Sequence, residues 1–191
     1  MKITSPLRLG IKTFLSYFAS SIIAVIVVLV FLSMSQALWL KIIGQLLGIA
    51  IVASTAYSCI WREGVSDFNR VKFGHMKYDR YKGLKAGLIA AVPQFVFWIA
   101  LIVFKLFDVN FALIYKIFNF YLMSFLEWVY GNNGTVISEL SMGGILLSGI
   151  PILIMPVAGF IAYIAGYRQF SLSEHLIYRN LKKKNSPKSK G

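Results

Sequence analysis

The chain has 191 residues, of which 58% are hydrophobic, and a formal net charge of +13 at pH 7. This hydrophobic share exceeds the roughly 45–50% of apolar residues in an ordinary water-soluble domain. Together with the mean hydropathy of +0.70, it excludes such a domain. A basic excess of this size attracts either nucleic acid or an anionic membrane surface, and in so apolar a chain it favours lipid. The single cysteine, Cys59, excludes an internal disulfide and a thiolate metal cluster.

Four stretches of the chain are long and apolar enough to cross a bilayer, which takes about 20 residues of helix. The predicted spans are 14–33, 42–61, 86–107 and 142–167. The basic segment before the first span also resembles the start of a signal peptide, but the apolar run that follows exceeds the usual 7–15 residues or so. The sequence therefore predicts an all-α integral membrane protein with a single membrane domain over residues 1–191.

Glycine and proline mark places where these spans can pack closely or bend. Glycines four residues apart on one helix face allow another helix to approach, whereas a proline removes a backbone hydrogen bond. The fourth span contains two prolines and several glycines, so we expect it to be the least regular. The predicted packing glycines are Gly44, Gly48, Gly159 and Gly166, and the possible kinks are Pro93, Pro151 and Pro156.

The segment 108–130 is apolar but carries polar residues at helical spacing. At 100° per residue its apolar side chains fall on one side of a helix, and its polar side chains fall on the other. The pattern predicts an amphipathic helix that is interfacial or re-entrant; the alternative is a fifth span. The apolar side is Phe111, Ile114, Tyr115, Phe118, Tyr121, Leu122, Phe125, Leu126 and Val129, and the polar side is Lys116, Asn119, Ser124 and Glu127.

The distribution of positive charge predicts the orientation, because Lys and Arg concentrate in segments that stay in the cytoplasm. With four spans, seventeen of the 20 Lys and Arg residues fall on one side, in the N-terminal segment, a loop over 62–85 and a tail over 168–191. We therefore expect both termini, the loop and the basic tail to be cytoplasmic. A fifth span would move seven positive charges to the wrong side. The three residues on the opposite side are Lys41, Lys105 and Lys116.

Cationic side chains in the loop and tail are candidates for contact with lipid headgroups. Each Lys or Arg next to a membrane contributes about 1 kcal/mol at an anionic surface. Aromatic residues interleaved with them would also suit nucleic acid, but adjacent spans favour anionic lipid of the inner leaflet and no nucleic acid. The candidates are Arg62, Arg70, Lys72, Lys77, Arg80, Lys82, Lys85, Lys182, Lys183 and Lys184.

The same loop holds the polar residues with which an enzymatic hypothesis would have to begin. His75 and Asp79 are four apart and would share a helix face, but a usable metal site needs three or four ligands. Glu63, Asp67 and Asp79 are carboxylates of the kind that bind Mg²⁺ for lipid phosphotransfer. The sequence contains no zinc-protease, serine-hydrolase or nucleotide-binding motif, and it predicts no cofactor and no metal.

Three functional hypotheses follow. The first is a small non-catalytic membrane subunit or interaction protein that packs its helices against a partner protein or another copy of itself. The second is a transporter or channel component that uses the broken fourth span together with polar residues such as Ser58. The third is a lipid-modifying enzyme at the membrane interface, using Asp67, Asp79 and His75. Residue usage rich in Ile, Lys, Phe and Asn favours a bacterial cell membrane.

Overall fold

The computed structural model describes residues 4–34, 37–130 and 136–170. In these residues the chain forms seven α-helices, three short 3₁₀ turns and no strand, so the prediction of an all-helical fold is confirmed. The helices are α1 (Pro6–Met34), α2 (Leu38–Lys72), α3 (Lys82–Leu106), α4 (Ala112–Phe118), α5 (Met123–Tyr130), α6 (Met142–Leu147) and α7 (Ile154–Tyr167); the 3₁₀ turns are Phe120–Leu122, Ile137–Glu139 and Ile150–Leu153.

Four helical segments of the described chain are long and apolar enough to cross a membrane. They are α1, α2, α3 and the run Met142–Tyr167, and they overlap the four predicted spans. The segments form a ring in the order α1, α2, α7, α3, in which α2 and α3 lie diagonally opposite each other and make few contacts. Most side chains on the outside of the ring are apolar, including Leu15, Ile22 and Val96.

Helix α2 extends well beyond its apolar stretch. The predicted loop over 62–85 is wrong for most of its length, because α2 continues to Lys72, α3 begins at Lys82, and only residues 73–81 connect them. The extension is stable because it buries one face, which carries Gly64, Asp67 and Arg70, against the bundle. His75 and Asp79 lie in the non-helical connection, so they do not share a helix face.

The fourth span is divided into α6 and α7 by the 3₁₀ turn at Ile150–Leu153. Pro151 lies in this turn, and its missing N–H prevents the α-helical ladder from continuing there. Pro156 lies in the first turn of α7, where a proline is tolerated because the N–H groups have no partner within the helix. Helix α3, in contrast, continues through Pro93.

Other side chains satisfy the carbonyl groups at the break in the fourth span. The indole nitrogen of Trp98 donates to the carbonyl oxygen of Ile145 at 2.8 Å. The hydroxyl of Tyr115 donates to the carbonyl oxygen of Ser148 at 3.1 Å. An unsatisfied carbonyl in an apolar interior costs several kcal/mol, so these two donors allow the helix to be broken inside the bundle.

The segment 108–130 is not one amphipathic helix. It forms α4 and α5, separated by the 3₁₀ turn at Phe120–Leu122. The predicted division into faces is wrong in α4, where Lys116 and the following Asn119 are buried while Ile114 and Phe118 are about half exposed. The turn inserts Tyr121 into the centre of the ring, where it contacts α1 and α3.

The buried core has two parts. The larger part runs from the centre of the ring to the α4–α5 segment and includes Tyr17, Val52 and Leu126. The smaller part includes Ile60 and Tyr163 and lies at the end of the bundle where α1 and α3 begin and α7 ends. We call this the basic end, and we call the other the opposite end.

Candidate functional site

A cluster of four charged side chains, three of them buried and Glu63 partly buried, lies at the basic end of the bundle. Glu63, Asp67 and Arg70 lie on one face of α2, because they are spaced four and three residues apart, and Lys82 is the first residue of α3. We call these four residues the ion-pair cluster. The side chain of Asp67 is 0% exposed and that of Lys82 is 3% exposed, so both would carry a large desolvation cost without partners.

Short ion pairs join all four members of the cluster. The Nη1 atom of Arg70 lies 2.7 Å from Oε1 of Glu63 and 2.7 Å from Oδ1 of Asp67. The Nζ atom of Lys82 lies 2.6 Å from Oδ2 of Asp67 and 3.2 Å from Oε1 of Glu63. Two carboxylates therefore face two cations, and the cluster is neutral as a unit.

Helix α7 completes the cluster with a tyrosine. The hydroxyl of Tyr163, which is fully buried, donates a hydrogen bond to Oδ2 of Asp67 at 3.0 Å. Asp67 thus accepts hydrogen bonds from three helices: from Arg70 on its own helix, from Lys82 on α3 and from Tyr163 on α7. The cluster fixes the position of these elements relative to one another.

Glycines allow the helices around the cluster to approach each other closely. A Cβ atom on Gly64 of α2 would lie 2.6 Å from the carbonyl oxygen of Tyr163, and one on Gly159 of α7 would lie 2.8 Å from that of Gly83. Gly166 faces the backbone of Trp61 in the same way. The predicted packing residues Gly159 and Gly166 therefore contact other helices of this chain.

The other two predicted packing glycines lie on the contact between α1 and α2. A Cβ atom on Gly44 would lie 2.6 Å from Cβ of Phe31, and one on Gly48 would lie 3.0 Å from Cγ2 of Val28. The sequence pattern indicated close helix packing at these positions without showing which helix was the neighbour. In the structure that neighbour is α1 of the same chain.

The predicted headgroup residues fall into three groups. Arg70 and Lys82 are buried in the ion-pair cluster, which corrects their assignment to headgroup contact, because their charges are paired with Glu63 and Asp67. Lys182, Lys183 and Lys184 lie outside the described residues. The remaining candidates, Arg62, Lys72, Lys77, Arg80 and Lys85, are exposed at the basic end.

Burial of the acidic side chains leaves the surface of the basic end strongly positive. Glu63 and Asp67 face inward, and Asp79 is paired with Lys85 at 2.9 Å. Partial burial raises the pKa of the Asp79 carboxyl, but hydrogen bonds from Lys85 and from the amide of Tyr81 outweigh that effect and lower it below its ordinary value of 3.8. The guanidinium of Arg80 lies 6.0 Å from the ring centre of Phe160.

A second group of polar side chains meets in the centre of the ring. The hydroxyl of Tyr17 donates to that of Tyr121 at 2.9 Å, and the amide nitrogen of Gln94 contacts both hydroxyls. The cavity beside them has a volume of about 10 Å³, which is room for no more than one water molecule, since one needs roughly 10–15 Å³. Tyr121 was predicted only as a member of the apolar side of the segment 108–130; its contact with the Tyr17 hydroxyl could not be predicted, because an isolated tyrosine in an apolar run carries no pattern.

The residues of the enzymatic hypothesis are not brought together. Asp67 is buried against two cations, Asp79 is paired with Lys85, and His75 is exposed in the connection between α2 and α3. Within the described part of the chain, no group of three or more His, Cys, Asp or Glu residues could hold a metal ion.

Comparisons with known proteins assign the chain to no family. The chain matches no protein-family model, and no match to it was found among curated proteins or among solved structures.

Proposed function

We propose that this chain is a non-catalytic membrane protein that crosses the bilayer four times and works as a subunit or interaction protein, with its basic end bound to anionic lipid at the cytoplasmic face. The observation that carries the proposal is the ion-pair cluster. It pairs the carboxylates of Glu63 and Asp67 with cations of the same cluster. Four further cations, Arg62, Lys72, Lys77 and Arg80, remain exposed on the same end.

The exposed cations support lipid binding because they lie next to the apolar outer surface of the ring. Each contributes about 1 kcal/mol at an anionic surface, and the contributions add when several residues face the same plane. Nucleic acid is not proposed as a partner, because the cations border apolar helices whose outer side chains suit acyl chains.

Orientation is tested by cysteine accessibility in a Cys59→Ala background. We expect His75→Cys, in the exposed connection at the basic end, to react with a membrane-impermeant maleimide only after the cells are permeabilised. Val109→Cys, exposed at the opposite end, should react in intact cells. The reverse labelling would contradict the proposed orientation, and labelling of both sites in intact cells would contradict the four-span arrangement.

Lipid binding is tested by native mass spectrometry of the full chain taken from vesicles that contain phosphatidylglycerol. A variant with Arg62→Gln, Lys72→Gln, Lys77→Gln and Arg80→Gln should retain several-fold less of this lipid than the wild type, since it lacks four surface charges. Asn69→Gln, an uncharged substitution at an exposed position of the same end, is the control. Equal retention by the fourfold variant and the wild type would remove lipid binding from the proposal.

The interaction role is tested by the size of the protein after purification from its native membrane in a mild detergent. If the chain works as a subunit or interaction protein, we expect a complex with a partner or with further copies of the chain. A particle that contains a single 21.5 kDa chain and no other protein would contradict this part of the proposal.

The centre of the ring supports a transporter or channel component as the second candidate. The contacts among Tyr17, Gln94 and Tyr121 lie beside the break at Pro151, and polar groups at a helix break are typical of solute sites in transporters. The cavity there admits no more than one water molecule, so transport would require the helices to separate. The test is solute flux into proteoliposomes that contain the wild type or Pro151→Ala. Flux that the substitution abolishes, while the variant still inserts into the membrane, would favour this candidate over the first.

A further inference from the structure

A groove lies between α2 and α5 at the opposite end of the bundle, away from the ion-pair cluster. Its volume is about 480 Å³, within the range of roughly 300–1,000 Å³ that is usual for pockets that hold small molecules. Its walls are mostly apolar and include Leu38, Ile42, Leu46 and Trp128. All four of these side chains are exposed, Trp128 most of all at 77%.

The polar rim of the groove carries one charge of each sign. Lys41 on α2 and Glu127 on α5 lie 3.6 Å apart, and their side chains are 23% and 25% exposed. A partly exposed pair at this distance stabilises the protein little. Both groups keep hydrogen-bonding capacity for a ligand, since an ammonium has three donors and a carboxylate has two acceptor oxygens.

Gln45 holds the two walls of the groove together. Its amide nitrogen donates to the carbonyl oxygen of Tyr121 at 2.8 Å, and its amide oxygen accepts from the backbone N–H of Phe125 at 3.3 Å. Both ends of this side chain are therefore engaged, and the start of α5 is fixed against α2. These hydrogen bonds hold α2 and α5 in the positions that form the groove.

Ser124 lines the groove, with its hydroxyl directed into the protein. Its hydroxyl oxygen is buried and makes no hydrogen bond to any residue that the structure describes. A buried hydroxyl without a partner is costly. Rotation about its Cα–Cβ bond would turn this hydroxyl towards the groove, where a carbonyl oxygen of a bound molecule would accept its hydrogen bond.

We infer that this groove binds a zwitterionic glycerophospholipid, with its phosphate at Lys41, its ammonium at Glu127 and one acyl chain along the apolar wall. The ester carbonyl that links chain and glycerol would then accept from Ser124. The paired charges at the rim distinguish this ligand from the anionic lipid proposed for the basic end, because a zwitterionic headgroup offers an opposite charge to both Lys41 and Glu127, whereas an anionic headgroup offers one to Lys41 alone. Trp128 is a residue type that favours the headgroup level of a membrane.

The experiment measures lipid retention by native mass spectrometry on the full chain from vesicles of equimolar phosphatidylethanolamine and phosphatidylglycerol. We expect the wild type to retain phosphatidylethanolamine at the groove. Lys41→Gln and Glu127→Gln should each lower its retention about tenfold, as the loss of one charged hydrogen bond predicts. Ser124→Leu should abolish it by occupying the groove. Leu113→Phe, an exposed substitution on α4 outside the groove, should leave it unchanged.

Two results would overturn the inference: no retention of phosphatidylethanolamine by the wild type, or equal retention of phosphatidylethanolamine by the wild type and the two charge variants. The charge variants change partly exposed residues, so they test the site even if Ser124→Leu fails to fold. The inference rests on the four-span placement of the proposed function. Arg62→Gln separates the two, because it should lower retention of phosphatidylglycerol alone.

Discussion

The Nζ atom of Lys82 lies 2.6 Å from Oδ2 of Asp67, and both side chains are buried. Lys82 begins α3 and Asp67 lies in the last part of α2, so this contact joins two helices that otherwise lie diagonally across the ring. The hydrogen bond from Tyr163 extends the connection to α7. The basic end is therefore held by buried ion pairs in addition to the apolar packing around Ile60 and Tyr163.

Asp67→Asn should destabilise the protein by about 3–5 kcal/mol, which is typical when one partner of a buried ion pair is removed. The amide cannot neutralise Arg70 and Lys82, and Glu63 alone would face two cations. The measurement is the free energy of unfolding in detergent micelles. Asp79→Asn, which removes a pair that is about half exposed, should cost about 1 kcal/mol or less and is the matched control.

A double-substitution cycle separates charge pairing from a general loss of packing. Lys82→Gln removes a cation, so in combination with Asp67→Asn it restores neutrality to the cluster. We therefore expect the double variant to lose less stability than the two single variants added together. Additive losses would show that the two charges do not stabilise each other in the folded protein.

Gly87→Ala should destabilise the bundle, while Gly143→Ala should not. A Cβ atom on Gly87 would lie 2.7 Å from both the carbonyl oxygen of Met155 and Cα of Pro156. These are backbone atoms that cannot rotate away, so we expect a loss of about 1–3 kcal/mol. Gly143 in α6 has open space at its Cβ position, and alanine there should gain up to about 1 kcal/mol from helix propensity. Thermal unfolding of the two variants side by side tests the contrast.

Sequence reasoning located the four long apolar segments because their signal is additive over about 20 residues and needs no knowledge of neighbours. It ended the second segment at Trp61 because charged residues lower the hydropathy from that point. The spacing of Glu63, Asp67 and Arg70 is helical and was the available sign that α2 continues. That the charges are paired with Lys82 could not be predicted, since this depends on how α2 and α3 pack.

The faces of the segment 108–130 could not be predicted by a rule derived for water-soluble helices. That rule turns polar residues outward, but here the outside of the ring is apolar and Lys116 and Asn119 are buried instead. The 3₁₀ turn at Phe120–Leu122 also changes the phase between α4 and α5. Tyr121 reaches the centre of the ring for that reason, and no periodicity in the sequence indicates it.

Tyr115→Phe should weaken the broken fourth span. Without its hydroxyl, the carbonyl oxygen of Ser148 loses the donor that lies 3.1 Å away. An unsatisfied buried acceptor costs about 1–3 kcal/mol, which chemical unfolding would detect. Tyr57→Phe is the control, because its hydroxyl has no hydrogen bond to a described residue, and it should change stability by less than about 0.5 kcal/mol. Equal effects of the two substitutions would show that Tyr115 stabilises the break only by packing.

The ion pair between Asp79 and Lys85 should give the wild type a pH-dependent stability that Asp79→Asn lacks. The pKa of Asp79 in the folded protein lies below its ordinary value of 3.8, so the ionised carboxylate stabilises the folded state. This contribution is fully present above the unfolded value and disappears as the pH falls through the folded value. The difference in unfolding free energy between wild type and variant should therefore be constant from neutral pH down to about 5 and shrink below 3.8. A difference that grew on acidification would mean that the folded protein raises this pKa, and it would contradict the pairing with Lys85.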